Sequence, residues 1–191
     1  MLLWLALLLP LLAPPAQAQP ARAQPPASPP TELPDRTQAT FGEWAVRCET
    51  QRPANQPVVR ACEIALTMND QRGQPIAQIV MGRTARTEPH RMLVQLPLEM
   101  RVDQPARLLL DPAAPPAEAL SLPFRLCSAT RGGCFGELDA LAPAVLSRMR
   151  ARADNQGRLD FRDATGRDVQ ILFSFRGFGQ ALDALARETG G

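Results

Sequence analysis

The residues with the greatest chemical reach in this chain are four cysteines, Cys48, Cys62, Cys127 and Cys134, and its one histidine, His90. A zinc site would want paired ligands at Cys-x2-Cys-type spacing. Successive cysteines are instead separated by 13, 64 and 6 residues, which disfavours a site built from them and His90. A cysteine nucleophile would need a free thiol beside His90 as general base, and a Ser-His-Asp hydrolase would depend on that same histidine. Ser121, Ser128, Ser147 and Ser174 lie in no Gly-x-Ser-x-Gly setting, so acyl transfer has no elbow to work from. His90 reads better as a polar residue at the entrance of a strand. Asp154, Asp160, Asp163 and Asp168 cluster in sequence but lack the Asp-x-Asp-x-Asp-Gly order with a Glu twelfth that calcium wants. No catalytic residue, metal or cofactor is expected.

The elements that position the cysteines come from hydrophobic alternation with period two. Trp44, Val46 and Cys48 share an apolar face that Glu43 and Arg47 avoid; Cys62, Ile64, Leu66 and Met68 repeat the pattern, as do Val169, Ile171, Phe173 and Phe175. Such stretches are half-buried antiparallel strands. Further strands are predicted over 76–81, 91–96, 107–110, 120–126 and 158–162, separated by Gly, Pro, Asn and Asp. Seven or eight short strands point to a sandwich. Leu138, Leu141, Val145, Leu146 and Met149 fall at helical spacing, with Asp139 as N-cap and Pro143 tolerable only in the first turn. Phe178, Ala181, Leu182 and Leu185 make a second helical stripe. Both helices are expected to be lids on the sheets.

Cys48 and Cys62 then fall on the inward faces of neighbouring strands, and Cys127 and Cys134 flank Ser-Ala-Thr-Arg-Gly-Gly, whose glycines permit a tight turn. Of three possible connectivities, two local disulfides fit best. The same loop offers a candidate binding tip, Arg131, Gly132 and Gly133, because a residue held out by a pinned loop loses little freedom on binding. Arg125, Arg131, Arg148, Arg150 and Arg152 could also gather into a positive patch near the second bridge.

The compartment follows from the first residues. Leu2 to Leu12 form an apolar run broken only by Pro10 and followed by Ala16-Gln17-Ala18, which reads as a signal peptide over residues 1–18, cut before Gln19. The run is much shorter than the roughly 20 apolar residues of a membrane-spanning helix, so no integral membrane segment is expected after cleavage. Residues 19–40 carry six prolines and one large apolar residue, Leu33, and read as a disordered linker. Residues 41–191 are read as a single domain. Export would place the cysteines where disulfides persist. The 21 basic residues, all arginine, stand against 19 acidic ones with no block of like charge, which argues against nucleic-acid binding.

Several elements, in order, resemble a known family. They are Phe41-Gly42-Glu43-Trp44-Ala45-Val46-Arg47-Cys48-Glu49, then Cys62, then Leu96-Pro97-Leu98 ahead of a strand, then Cys127 with Gly132-Gly133-Cys134 and a Leu-rich helix, and finally Phe175-Arg176-Gly177-Phe178 before a terminal helix. Together they are similar to the invasion-associated locus B family of exported bacterial proteins, over residues 41 to about 187. The chain departs from the pattern at Glu99 and Ala106, where glycines are common in the family. The resemblance implies an immunoglobulin-like antiparallel β-sandwich with one or two short helices, in the periplasm or outside the cell. It supplies no catalytic residues. The expected function is non-enzymatic binding of an envelope protein or a host surface. The alternatives are a structural envelope factor and an enzyme with an unrecognised site.

Overall fold

The computed structural model describes residues 34–189 except 56 and 86, so the expected signal peptide and residues 19–33 of the expected linker lie outside the described residues. Eleven strands, two α-helices and one 3-10 turn follow in the order β1 (Arg36–Phe41), β2 (Trp44–Gln51), β3 (Val59–Asn69), β4 (Pro75–Gly82), β5 (Arg91–Leu96), β6 (Ala106–Leu109), β7 (Leu120–Leu122), β8 (Phe124–Ser128), β9 (Gly133–Leu138), α1 (Pro143–Ala151), β10 (Gln156–Arg162), β11 (Asp168–Ser174) and α2 (Phe178–Glu188), with the 3-10 turn (Pro116–Glu118) before β7. They form two antiparallel sheets, of seven strands in the order β1-β2-β3-β4-β5-β9-β8 and of four in the order β11-β10-β6-β7. The β-sandwich with two helices is the expected fold class.

One core lies between the layers. The large sheet turns Trp44, Val46, Ile64, Leu66, Ile79, Met81, Met92, Val94 and Leu96 inward, and the small sheet answers with Leu108, Leu122, Leu159 and Phe173. Helix α2 lies against β1, β2 and β3, and its Phe178, Ala181, Leu182 and Leu185 join the same cluster. Apolar area removed from water at roughly 25 cal/mol per Å² is what holds these faces together.

The two aromatic motifs at the ends of the domain meet. Gly42 and Glu43 are the loop of the β1–β2 hairpin; Gly42, at φ +57°, takes the first central position that a type II′ turn reserves for glycine. Glu43 N–H donates to the Arg176 carbonyl at 2.9 Å, and the Arg176 guanidinium pairs with the Glu43 carboxylate. Trp44 Nε1 donates to the Ser174 carbonyl at 2.9 Å. The Trp44 and Phe178 rings meet edge to face, 5.0 Å between centroids. Gly177, at φ +90°, opens α2, and a Cβ there would lie 1.8 Å from the Phe41 carbonyl oxygen.

Four boundaries differ from the sequence reading. Residues 36–40, expected to belong to the linker, are instead paired with β2 as part of β1. This strand has little apolar content; main-chain ladder bonds and an Arg36–Glu49 ion pair at 3.0 Å hold it, and hydrophobicity alone does not reveal either. The strand expected over 120–126 is two strands in different sheets, since Pro123 has no N–H for the ladder and the chain crosses between layers there. Leu138 ends β9 and Leu141 lies before α1, which starts with Pro143 in its first turn after Ala142 as cap. Asp139 therefore caps nothing; its carboxylate accepts from Arg91 at 2.9 Å and from Arg125 at 3.2 Å.

Candidate functional site

Both local disulfides are present, Cys48–Cys62 and Cys127–Cys134, and no cysteine is free. Each joins residues directly opposed in an antiparallel register, β2 to β3 and β8 to β9. The Glu188 carboxylate lies 3.8 Å from Cys48 Sγ and accepts from Arg60 at 3.1 Å. Cys48, Cys62 and Glu188 thus converge, but sulfurs joined in a disulfide have no thiolate to offer a metal.

The tip of the β8–β9 hairpin is held from several sides. Arg131 N–H donates to the Ser128 carbonyl and Gly132 N–H to the Ala129 carbonyl, both at 3.2 Å. Ser128 and Thr130 hydroxyls are 2.9 Å apart. From β5, Gln95 Nε2 donates to the carbonyls of Arg131 and Gly132 at 3.3 and 3.2 Å. Gly133 is packed so closely that a Cβ would lie 2.4 Å from the Leu96 carbonyl oxygen. The result is an ordered loop from which the Arg131 side chain projects into solvent, with no ion pair among the described residues.

Beside this tip the outer face of the large sheet is hollowed. An open depression of about 440 Å³ is lined by Thr67, Ile76, Gln78, Gln95, Pro97, Leu98 and Gly132. Leu98, one of its lining residues, is 41% exposed. Two more depressions open on the same face: one of about 570 Å³ over Arg36, Gln38, Arg47, Glu49 and Glu63, and one of about 280 Å³ over Val80, Leu93, Arg91 and Glu137. The register explains this surface. Ala45, Ala65, Val80 and Leu93 are successive outward neighbours across four strands, and Phe135 and Leu126 are paired outward residues nearer the β8 edge. The charges around them are mostly matched, Arg47 with Glu63 at 2.7 Å and Arg91 with Asp139 at 2.9 Å.

The other expected clusters do not assemble. Arg125 pairs with Asp139, Arg150 with Asp183 on α2 and Arg152 with Asp111 in the loop after β6, so three of the five arginines are engaged by carboxylates on separate elements. The clustered aspartates are likewise engaged by arginines, Asp160 by Arg158 and Asp168 by Arg162, both at 2.8 Å. Asp163 accepts from the Thr165 hydroxyl at 2.6 Å and from Arg167, and these contacts lower its pKa to about 2. His90 stands just before β5, and its carbonyl accepts from Leu141 N–H at 2.7 Å. Burial, and then the charge of Arg83, push its imidazole below the ordinary 6.5.

That direction fixes a pH effect. A histidine with a lowered folded pKa leaves the native state holding fewer protons than the unfolded chain, so stability should rise with pH up to about 6.5 and level off above it. The His90→Asn variant should lose that part of the slope, read from urea midpoints between pH 5 and 8. An unchanged slope would remove His90 from the balance.

Comparison with known proteins decides the family. The model of the invasion associated locus B (IalB) protein family matches residues 44–186. The chain belongs to this family. Among solved structures, the crystal structure of invasion associated protein b from Bartonella henselae is similar, with a TM-score of 0.61 at 15% identity, covering 81% of this chain and 99% of that one. At that identity the likeness concerns the fold. No curated protein matches the sequence. The matched span runs from Trp44 in the hairpin motif into α2, and so takes in the Trp44–Phe178 contact, both disulfides and the pinned tip, while Phe41, Gly42 and Glu43 lie just before it.

Proposed function

We propose that this member of the invasion associated locus B family is an exported, non-enzymatic binding protein of the periplasm or cell surface, carried there by the signal peptide at residues 1–18. It engages an envelope or host-surface protein through the Arg131-Gly132-Gly133 tip and the adjoining depression. The observation that carries this reading is the pinned tip itself. A cation with no ion pair among the described residues is held by a disulfide, two turn bonds and Gln95 beside partly exposed apolar residues. Binding at such a tip loses little conformational freedom, and an apolar hollow with a charged margin is how protein interfaces are built. Two disulfides fit a protein outside the cytoplasm.

The test compares species cross-linked to the protein on intact bacteria. Arg131→Glu and Leu98→Asp should each deplete the captured partner, and Arg131→Glu should leave the melting temperature within about 1–2 °C, as surface changes do. His90→Ala should capture normally. Capture that survives both tip substitutions but is lost with His90→Ala would overturn the binding reading in favour of an enzyme.

A further inference from the structure

The two disulfides differ in what lies beyond their sulfurs. Cys48 and Cys62 are 4% and 7% exposed on strands flanked by β1 and β4, with Thr37 of β1 opposite Cys48 and the Glu188 carboxylate 3.8 Å from its sulfur. Cys134 is equally enclosed, at 1% exposure, with Leu96 of β5 opposite it. Cys127 is exposed, and it sits on β8, the last strand of the large sheet. Because Cys127 and Cys134 face each other across the ladder, their link runs outward from β9 to β8. Continued past Cys127, that line leaves the sheet at an edge where no strand pairs among the described residues.

Thiol–disulfide exchange proceeds by thiolate attack on one sulfur, through a mixed disulfide, at a rate set by access and by which sulfur leaves. The attacking anion must approach opposite the leaving sulfur. At Cys127 that approach comes from solvent, and the ring also carries the Arg131 cation, which attracts a thiolate. At Cys48 an incoming anion meets β1 and the Glu188 carboxylate.

We propose that Cys127–Cys134 is an exchange-active disulfide, attacked at the Cys127 sulfur by a small external thiolate of the glutathione class. The new bond joins the external sulfur to Cys127 Sγ; the Cys127–Cys134 bond breaks, and its electron pair leaves on Cys134 Sγ as a thiolate. Cys127 is therefore a site of reversible S-thiolation. Cys48–Cys62 is a structural bridge that does not take part. This assignment stands apart from the binding reading, since it depends on sulfur access and not on any partner protein.

The experiment treats the fully oxidised exported protein with reduced glutathione, quenches with acid, alkylates free thiols and maps the peptides. The expected result is a glutathione adduct on Cys127 with an alkylated Cys134. Dithiothreitol, which carries the reaction through to the dithiol, gives a second measure that needs no trapped adduct: Cys127–Cys134 should open at least about tenfold faster than Cys48–Cys62. An Arg131→Glu substitution should slow opening by glutathione. Adducts on Cys134, equal opening rates, or earlier loss of Cys48–Cys62 would each overturn the assignment.

Discussion

Gly177→Ala should cost about 4 kcal/mol or more, lowering the melting temperature by roughly 8–16 °C for a domain of this size. Two effects add. Residue 177 sits at φ +90°, where a side chain is strained, and the added methyl would lie 1.8 Å from the Phe41 carbonyl oxygen. That oxygen belongs to the hairpin whose next residues bind Arg176, so neither side can retreat without giving up the Glu43 bonds. Gly73→Ala is the control: at φ +77° it has the same backbone cost, but nothing lies within 4 Å of its Cβ, and about 1 kcal/mol is expected. Urea titration of both variants decides the matter, and equal losses would remove the contact between the end motifs from its place in the fold.

Loss of the inner bridge should be nearly as severe. The Cys48→Ala/Cys62→Ala pair opens a loop with a sequence separation of 14, for which the chain-entropy model gives about 3 kcal/mol. That corresponds to roughly 6–12 °C in melting temperature. Both positions are buried in the core cluster, so replacement also leaves unfilled space. A double variant within about 1 kcal/mol of the parent would show that the packing of β2 on β3 holds without the covalent link.

Much of this fold was legible because its signals are local. The inward set Trp44, Val46 and Cys48 alternates cleanly, and opposed inward cysteines on adjacent strands made the pairing readable; Phe178, Ala181, Leu182 and Leu185 kept helical period. Strand β1 was missed because Thr37, Gln38, Ala39 and Thr40 are held by ladder bonds and contribute no apolar stripe. The exchange of layers at Pro123 was missed because alternation carries a strand's faces and says nothing of which sheet it joins. At the site, Arg131 and its glycines could be proposed from the tight ring alone. The part of Gln95, 36 residues from Arg131 in sequence, could not. It becomes visible only when β5 and β9 lie side by side, though its outward place in an alternating strand was the available clue. The carboxylate partners of Arg125, Arg150 and Arg152 are likewise tertiary facts.

Both disulfides lie within the seven-stranded sheet, and neither crosses to the four-stranded one. The molecule is therefore reinforced anisotropically. One layer is sewn covalently at two places along its width, one interior and one at the rim. The opposing layer is attached by the peptide chain, by hydrogen bonds such as that from Trp44 Nε1 to the Ser174 carbonyl, and by exclusion of water from the space between. Conditions that weaken apolar contact would part the layers along that seam while the stitched sheet kept its strand register, and a reducing agent would act on the sheet and leave the seam untouched.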